Sequence, residues 1–303
     1  MKNTRNVFVA GAAGHLGQLV VTQLLDHGHR VTALIRDSAG KHADTTAWMR
    51  ARGATIVEGD IHTPAQYEPA LAGIDALVST LQGGPEIIID GQKQLADAAL
   101  RAGVAHFIPS DFAIDYFGIP DGTHVFLDWR RAFANYLHQQ PIAHTHVLNG
   151  AFMEVLLYPN MGLVDFVDHT LHYWGDGRQK MDFTTMVDTA KAVELAVADD
   201  RYRNQHLDIA GEQITYLEML ALLGELTGHP FTSVPLGSIA ELEARIKARQ
   251  EGGQDVMTFV FDQYNWAMAS GKAKLPQPLT TAELGFTPTT LREFLGQAIS
   301  QSV

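Results

Sequence analysis

The sequence has no cysteine among its 303 residues. That excludes disulfides, thiol nucleophiles and thiolate-bound metals, and it leaves the compartment open. No apolar run approaches the roughly 18 residues of a membrane-spanning helix. Basic residues are scarce: 22 Lys and Arg stand against 34 Asp and Glu, a formal net charge of −12. A nucleic-acid binder presents a basic surface, so nucleic acid is not an expected partner. Lys2 and Arg5 precede a short apolar stretch, but that stretch runs straight into glycines and reads as a first strand, not a signal peptide. A soluble cytoplasmic protein is expected, with neither repeats nor a low-complexity linker.

What is present begins at once. Val7, Phe8, Val9 and Ala10 read as a short buried strand, followed by Gly11-Ala-Ala-Gly14-His-Leu-Gly17. Leu16, Leu19, Val20 and Leu24 then recur at helical spacing. Strand, glycine turn and helix stand in the order a dinucleotide site needs. The glycines let the backbone approach a pyrophosphate, and the new helix offers it unpaired N–H groups. The spacing G-x-x-G-x-x-G departs from the usual dinucleotide fingerprint, and such a turn also occurs as a purely structural device. A second strand, 30–36, ends in Arg36, where NAD-binding folds place an acidic residue. A guanidinium cannot accept a hydrogen bond from a ribose hydroxyl but grips a 2′-phosphate well. The pattern therefore points to NADP(H); the bland alternative is a solvated arginine at a strand end.

Strand and helix signals alternate onward. Strands are expected at 54–58, 74–79, 106–109 and 142–148, and helices at 67–71, 86–102 and 125–139. This rhythm predicts an α/β fold: a doubly wound parallel Rossmann sheet, with ligands beyond the carboxyl ends of its strands. After Gly150 the rhythm breaks. An apolar stretch, 151–163, is interrupted by Pro159; 171–174 and 206–210 read as strands, and 188–197, 215–227, 240–250 and 257–269 as helices. Thr215 is a candidate helix N-cap. The expected division is an NADP-binding domain, 1–152, with contributions from about 175–210. A smaller, mostly helical substrate-binding region, 153–303, follows it.

These residues together resemble a known family, the NmrA-like and isoflavone-reductase-like atypical short-chain dehydrogenases. The likeness rests on Gly11/Gly14/Gly17, on Arg36 and on Ser79-Thr80 closing the fourth strand. More specific is Phe107-Ile-Pro-Ser-Asp-Phe112, similar to the family's F-x-P-S-E/D-F segment; Gly175-Asp-Gly177 and Asp188 also match. The resemblance implies that Gly11, Gly14, His15, Leu16 and Gly17 line the pyrophosphate, and that Arg36, with Lys41, meets the 2′-phosphate. It puts Asp60 and Ile61 beside the adenine. Ser79, Thr80, Leu81 and Gln82 would run along the ribose and phosphates. Ser110, Asp111, Phe112, Asn149 and Phe152 would lie near the nicotinamide.

One departure matters. The family's reductases carry a lysine early in the helix after the Pro-Ser-Asp/Glu-Phe segment, and here that position is Arg130. Arginine keeps the charge but does not release a proton near neutral pH. The Tyr-x-x-x-Lys pair of ordinary short-chain dehydrogenases is absent too, since Pro120 follows Tyr116 by four residues. The remaining catalytic candidates are Arg130 as a cation, and Tyr116, His124 and Asp115 by their placement. His144-Thr-His146 puts two imidazoles on one face of a strand. No third ligand accompanies them in the sequence and the family uses no metal, so none is expected. Phe259, Phe261, Tyr264, Trp266 and Met268 read as core, although the resemblance sets part of the substrate wall in this region. Two functions follow: an NADPH-dependent reductase of a small carbonyl or enone-like substrate, or a non-catalytic NADP(H)-sensing regulator acting on a protein partner. A homodimer is compatible with either.

Overall fold

A computed structural model describes residues 4–158 and 161–301; Lys2 and Pro159 lie outside the described residues. The chain divides into two compact units, Met1–Asp111 with Trp129–Val147 and Thr189–Leu207, and Phe112–Asp128 with Leu148–Asp188 and Asp208–Val303.

The first unit is built on a central sheet. Its elements, in chain order, are β1 (Asn6–Ala10), α1 (His15–Asp26), β2 (Arg30–Ile35), α2 (Ala43–Ala51), β3 (Thr55–Glu58) and β4 (Ala76–Ser79). There follow α3 (Gln92–Arg101), β5 (His106–Ile108), α4 (Val125–Leu137), β6 (Ala143–Leu148) and α5 (Met186–Ala198). Seven strands lie in the order Gln205–Asp208, β6, β5, β4, β1, β2, β3. Every pair from β6 to β3 is parallel. The order runs one way from β1 through β2 to β3 and the other way from β4 through β5 to β6. The carboxyl ends of β1 and β4 therefore border the switch point at which such sheets take ligands. In register, Ala10 stands beside Leu34 on one side and Ser79 on the other.

The sheet is buried as its sequence dictates. Val7, Phe8, Val9 and Ala10 are fully buried, the uninterrupted apolar run of a strand covered on both faces. On α1 the buried stripe is Gly17, Val20, Val21 and Leu24. Leu16 and Leu19, expected in that stripe, are only half-buried. The helix expected over 86–102 is two elements, a π-helical turn Glu86–Gly91 and then α3. The helix expected over 67–71 is the short 3-10 turn Glu68–Leu71.

The second unit combines helices with two three-stranded sheets. One contains Ala151–Phe152, Met181–Thr184 and Glu212–Ile214; the other Val164–Asp165, Thr170–Tyr173 and Thr232–Pro235. Its helices include Tyr216–Thr227, Ile239–Glu251, Val260–Ala269 and Leu291–Gln301. Thr215 caps the first of these in a reciprocal capping box with Glu218, and Ser238 does the same with Glu241. Met153, Phe183, Met219, Leu223, Leu291 and Leu295 are at its core.

Candidate functional site

The three glycines of the first turn serve three different ends. Gly11 has φ +80, and a Cβ there would meet the Thr80 carbonyl oxygen at 2.7 Å. Gly17 is buried, and its Cβ would stand 2.2 Å from the Gly11 carbonyl oxygen. These two are glycine because the protein itself leaves no room. Gly14 is different. It is exposed, its φ is −70, and its nearest neighbour would be 3.3 Å away. A Cβ there would press on the Gly11 carbonyl oxygen by only a few tenths of an ångström, so the fold constrains this position far less than the other two. Gly14 is also the N-cap of α1 and supplies no side-chain cap. His15 is exposed and Leu16 half-buried at the head of the helix. Their amides and the helix dipole suit an anionic diphosphate.

Arg36 directly follows β2 and is exposed; among the described residues it has no ion pair or hydrogen bond. The next residue, Asp37, accepts hydrogen bonds from the backbone N–H groups of Gly40 and Lys41, both at 2.9 Å. Those bonds, that of Lys41 first, hold its carboxyl below the ordinary range. The loop thus ties up its carboxylate and leaves a guanidinium and the Lys41 side chain facing solvent, a charge pattern suited to a phosphate. Asp60 accepts a hydrogen bond from the His62 amide, and the side chain of Ile61 is in the core of the sheet.

At the end of β4, Ser79 is fully buried and its hydroxyl has no partner among the described residues. Thr80 donates both its amide and its hydroxyl to the Ala10 carbonyl, at 2.8 and 3.0 Å. Leu81 is half-buried and Gln82 exposed. Ser110 donates its hydroxyl to the Leu81 carbonyl at 2.6 Å and its amide to the Gln92 side-chain oxygen at 2.9 Å. Gln92 also donates to the Ile88 carbonyl at 2.8 Å. This buried carboxamide, which the sequence reading missed, locks the end of β5 to the first turn of α3. Its only signal is a glutamine on a helix whose buried residues are otherwise Leu95, Ala96, Ala98 and Ala99.

Asp111 is buried, and its Oδ2 lies 2.6 Å from His146 Nδ1. Its backbone carbonyl accepts from Arg130 Nε at 2.9 Å. The Asp111 backbone thus orients the Arg130 guanidinium. Asp111 itself is directed to a histidine. His106 Nε2 meets Thr145 Oγ1 at 2.7 Å, while Thr145 donates to the Tyr202 carbonyl. Thr145 must then accept from His106, which fixes that tautomer. Burial pushes the His106 ring down to about 4.

In the second unit, Phe112 adopts φ +35, a strained value for a bulky residue and a mark of an over-determined segment. Asn149 is fully buried; its amide donates to the Ala113 carbonyl, and neither carboxamide atom has a partner among the described residues. Buried carboxamides are rarely left so, and a ligand is a common reason. Phe152 is half-buried beside Thr184. Tyr116 is fully buried against Phe117, ring centroids 4.3 Å apart, and His124 is fully buried edge-on to Tyr264 at 4.2 Å. Asp115 accepts from the Phe117 amide at 2.9 Å.

Residues 3–295 match the NmrA-like family. The chain belongs to that family. This NmrA-like chain is 30% identical over 237 residues to the isoflavone reductase homolog IRL of Zea mays, which covers 74% of this chain and 75% of that protein. Two solved structures are similar in fold. A complex of leucoanthocyanidin reductase with NADPH from Vitis vinifera has a TM-score of 0.83 at 22% identity, covering 97% of this chain and 99% of that one. AtPrR2 with NADP+ and (+)pinoresinol has a TM-score of 0.84 at 20% identity, covering 98% and 99%. Among the described residues of the NmrA-like chain, no helix is long and apolar enough to cross a membrane.

Proposed function

We propose that this chain is an NADPH-dependent reductase of a small carbonyl or conjugated, enone-like compound. The observation that carries the reading is Gly14, an exposed N-cap glycine that the fold constrains far less than Gly11 and Gly17. Membership of the NmrA-like family and the cofactors of the two structural neighbours support it. The residues present fit NADP(H). The Gly14 amide is spent on the Gly11 carbonyl, so the His15 and Leu16 amides hold the diphosphate, and Arg36 with Lys41 holds the 2′-phosphate. Ser79, whose buried hydroxyl lacks a partner, supplies a hydrogen bond to the ligand. Asn149 offers an unpaired donor and acceptor. When bound, NADPH supplies the hydride.

The chain contributes orientation and charge. As a carbonyl or enone is reduced, negative charge develops on its oxygen. Arg130 is the cation this reading assigns to that charge, its position set by the Asp111 carbonyl. A guanidinium stabilises an oxyanion without donating its proton. Tyr116 and His124 are fully buried, so water is the proton donor that needs no rearrangement of the packing.

Arg130 also favours a second reading, an NADP(H)-responsive regulator that acts through a protein partner. A lysine acid is absent and its replacement is tied to backbone. Fluorescence titration with NADPH and NADH, followed by NADPH consumption against a panel of carbonyl and enone compounds, separates the two. Turnover of any panel member supports the reductase. Tight NADPH binding with no turnover across the panel overturns it in favour of the regulator.

A further inference from the structure

The carboxyl group of Asp111 leads to a cluster of imidazoles that plays no part in the reading above. His144 and His146 alternate on β6 and share one face of it. The third histidine comes from elsewhere in the chain. His138 follows the last residue of α4, and its Nε2 lies 2.8 Å from His146 Nε2. Ring centroids of His138 and His144 are 4.7 Å apart. Each of the three rings offers a nitrogen within 4.8 Å of the other two. Among the described residues this is the one group of three or more histidine or acidic side chains so arranged.

The far sides of two rings are already engaged in the way ligands are. His146 Nδ1 contacts the buried Asp111 carboxylate, and His144 Nδ1 contacts the Ile142 carbonyl at 3.3 Å. Carbonyl and carboxylate oxygens only accept, so each Nδ1 carries its proton and each Nε2 keeps a lone pair; His146 Nε2 then accepts from His138 Nε2, whose proton must shift to its Nδ1 before that nitrogen can ligate. A metal-bound histidine characteristically donates its other N–H to a carboxylate or a backbone carbonyl. Both arrangements are present here without reference to any ion.

We propose that His138, His144 and His146 bind one divalent transition-metal ion of the zinc class, with Asp111 orienting His146 from behind. Nitrogens at about 2.05 Å from a tetrahedral ion lie about 3.4 Å apart. The His138–His146 pair must open slightly and the widest pair must close by about 1.4 Å to reach that spacing. His138 is exposed, just beyond the end of α4. Water completes the shell. All-imidazole donors favour Zn²⁺, Ni²⁺ or Cu²⁺ over Mg²⁺ or Ca²⁺. An ion here would clamp the end of α4 to β6 and, through Asp111, to the segment that follows β5.

The test uses the full chain stripped with chelator, then titrated with Zn²⁺ alone against a chromophoric competitor. One equivalent is expected to bind tightly, and Co²⁺ in its place should show the visible bands of a tetrahedral ion. His138→Ala alters an exposed side chain and should weaken zinc by about tenfold or more. His144→Gln, checked by thermal unfolding, should do the same, while His27→Ala, just beyond α1, should change nothing. Zinc binding that both cluster variants leave intact, or a stoichiometry that tracks surface histidines such as His27, would overturn the proposal.

Discussion

Gly14→Val and Gly17→Ala should fail in opposite ways. At Gly17 even one added carbon would stand 2.2 Å from the Gly11 carbonyl oxygen and 2.9 Å from the Ala12 backbone. An unstrained carbon–oxygen contact needs about 3.3 Å. The obstacles are backbone atoms, so the turn or the whole of α1 must shift. Overpacking of this kind costs typically about 1–3 kcal/mol, and Gly17→Ala belongs at the upper end. Gly14 has an ordinary φ, and a Cβ there would meet only the Gly11 carbonyl oxygen, at 3.3 Å, a contact relieved by a shift of a few tenths of an ångström. Stability should change by no more than about 1 kcal/mol, the scale of an N-cap substitution. Ligand binding responds in the reverse sense. The valine occupies the approach to the first amides of α1, and each charge-assisted hydrogen bond lost there is worth about 1.5–3 kcal/mol. One lost bond weakens NADPH by about ten- to a hundredfold. Urea unfolding measures the first effect and NADPH fluorescence titration the second. A Gly14→Val protein that folds and still binds NADPH at full strength would mean that the phosphates lie elsewhere.

Arg36→Ala should lower NADPH affinity by about ten- to a hundredfold and leave NADH binding unchanged; equal affinity of the unaltered protein for both cofactors would sink the assignment. Arg130→Met should reduce kcat by about 10²-fold with little effect on NADPH affinity, and Arg130→Lys should retain or raise activity, since lysine can also donate a proton. Turnover indifferent to Arg130→Met refutes that role. Burial raises the Asp208 carboxyl to about 6 from 3.8, countered in part by a hydrogen bond from the Gln277 amide. The folded chain then holds this proton more tightly than the unfolded one, so stability is lost as pH rises from 3.8 through about 6. The loss amounts to about 3 kcal/mol. Asp208→Asn should therefore stabilise the protein at pH 7 but not at the acid end of that window, and urea midpoints for the two proteins that differ equally at both would contradict this.

Much of the molecule was legible in the order of its residues. Val7 to Ala10, the glycines and the helix that follows them are local features. A strand needs only its apolar run, a turn its glycine, and a helix start its cap, as Thr215 and Glu218 illustrate. Arg36, proposed here to hold the 2′-phosphate, is a local feature of the same kind, a basic residue at a strand end. The strands Met181–Thr184, Glu212–Ile214 and Thr232–Pro235 were not legible, because three or four residues carry too little alternation to distinguish a strand from a loop. The difference among the three glycines was also invisible, since identical letters hide how closely the protein packs against each missing Cβ. Tertiary structure decided which polar groups meet. Gln92 reaches Ser110 across 18 positions, and Asp111 reaches His146 across 35. His138 joins two strand histidines only because the chain turns back after α4. Side-chain period and turn chemistry act over a few neighbouring residues, whereas the pairing of buried polar groups depends on which strands lie side by side in the sheet.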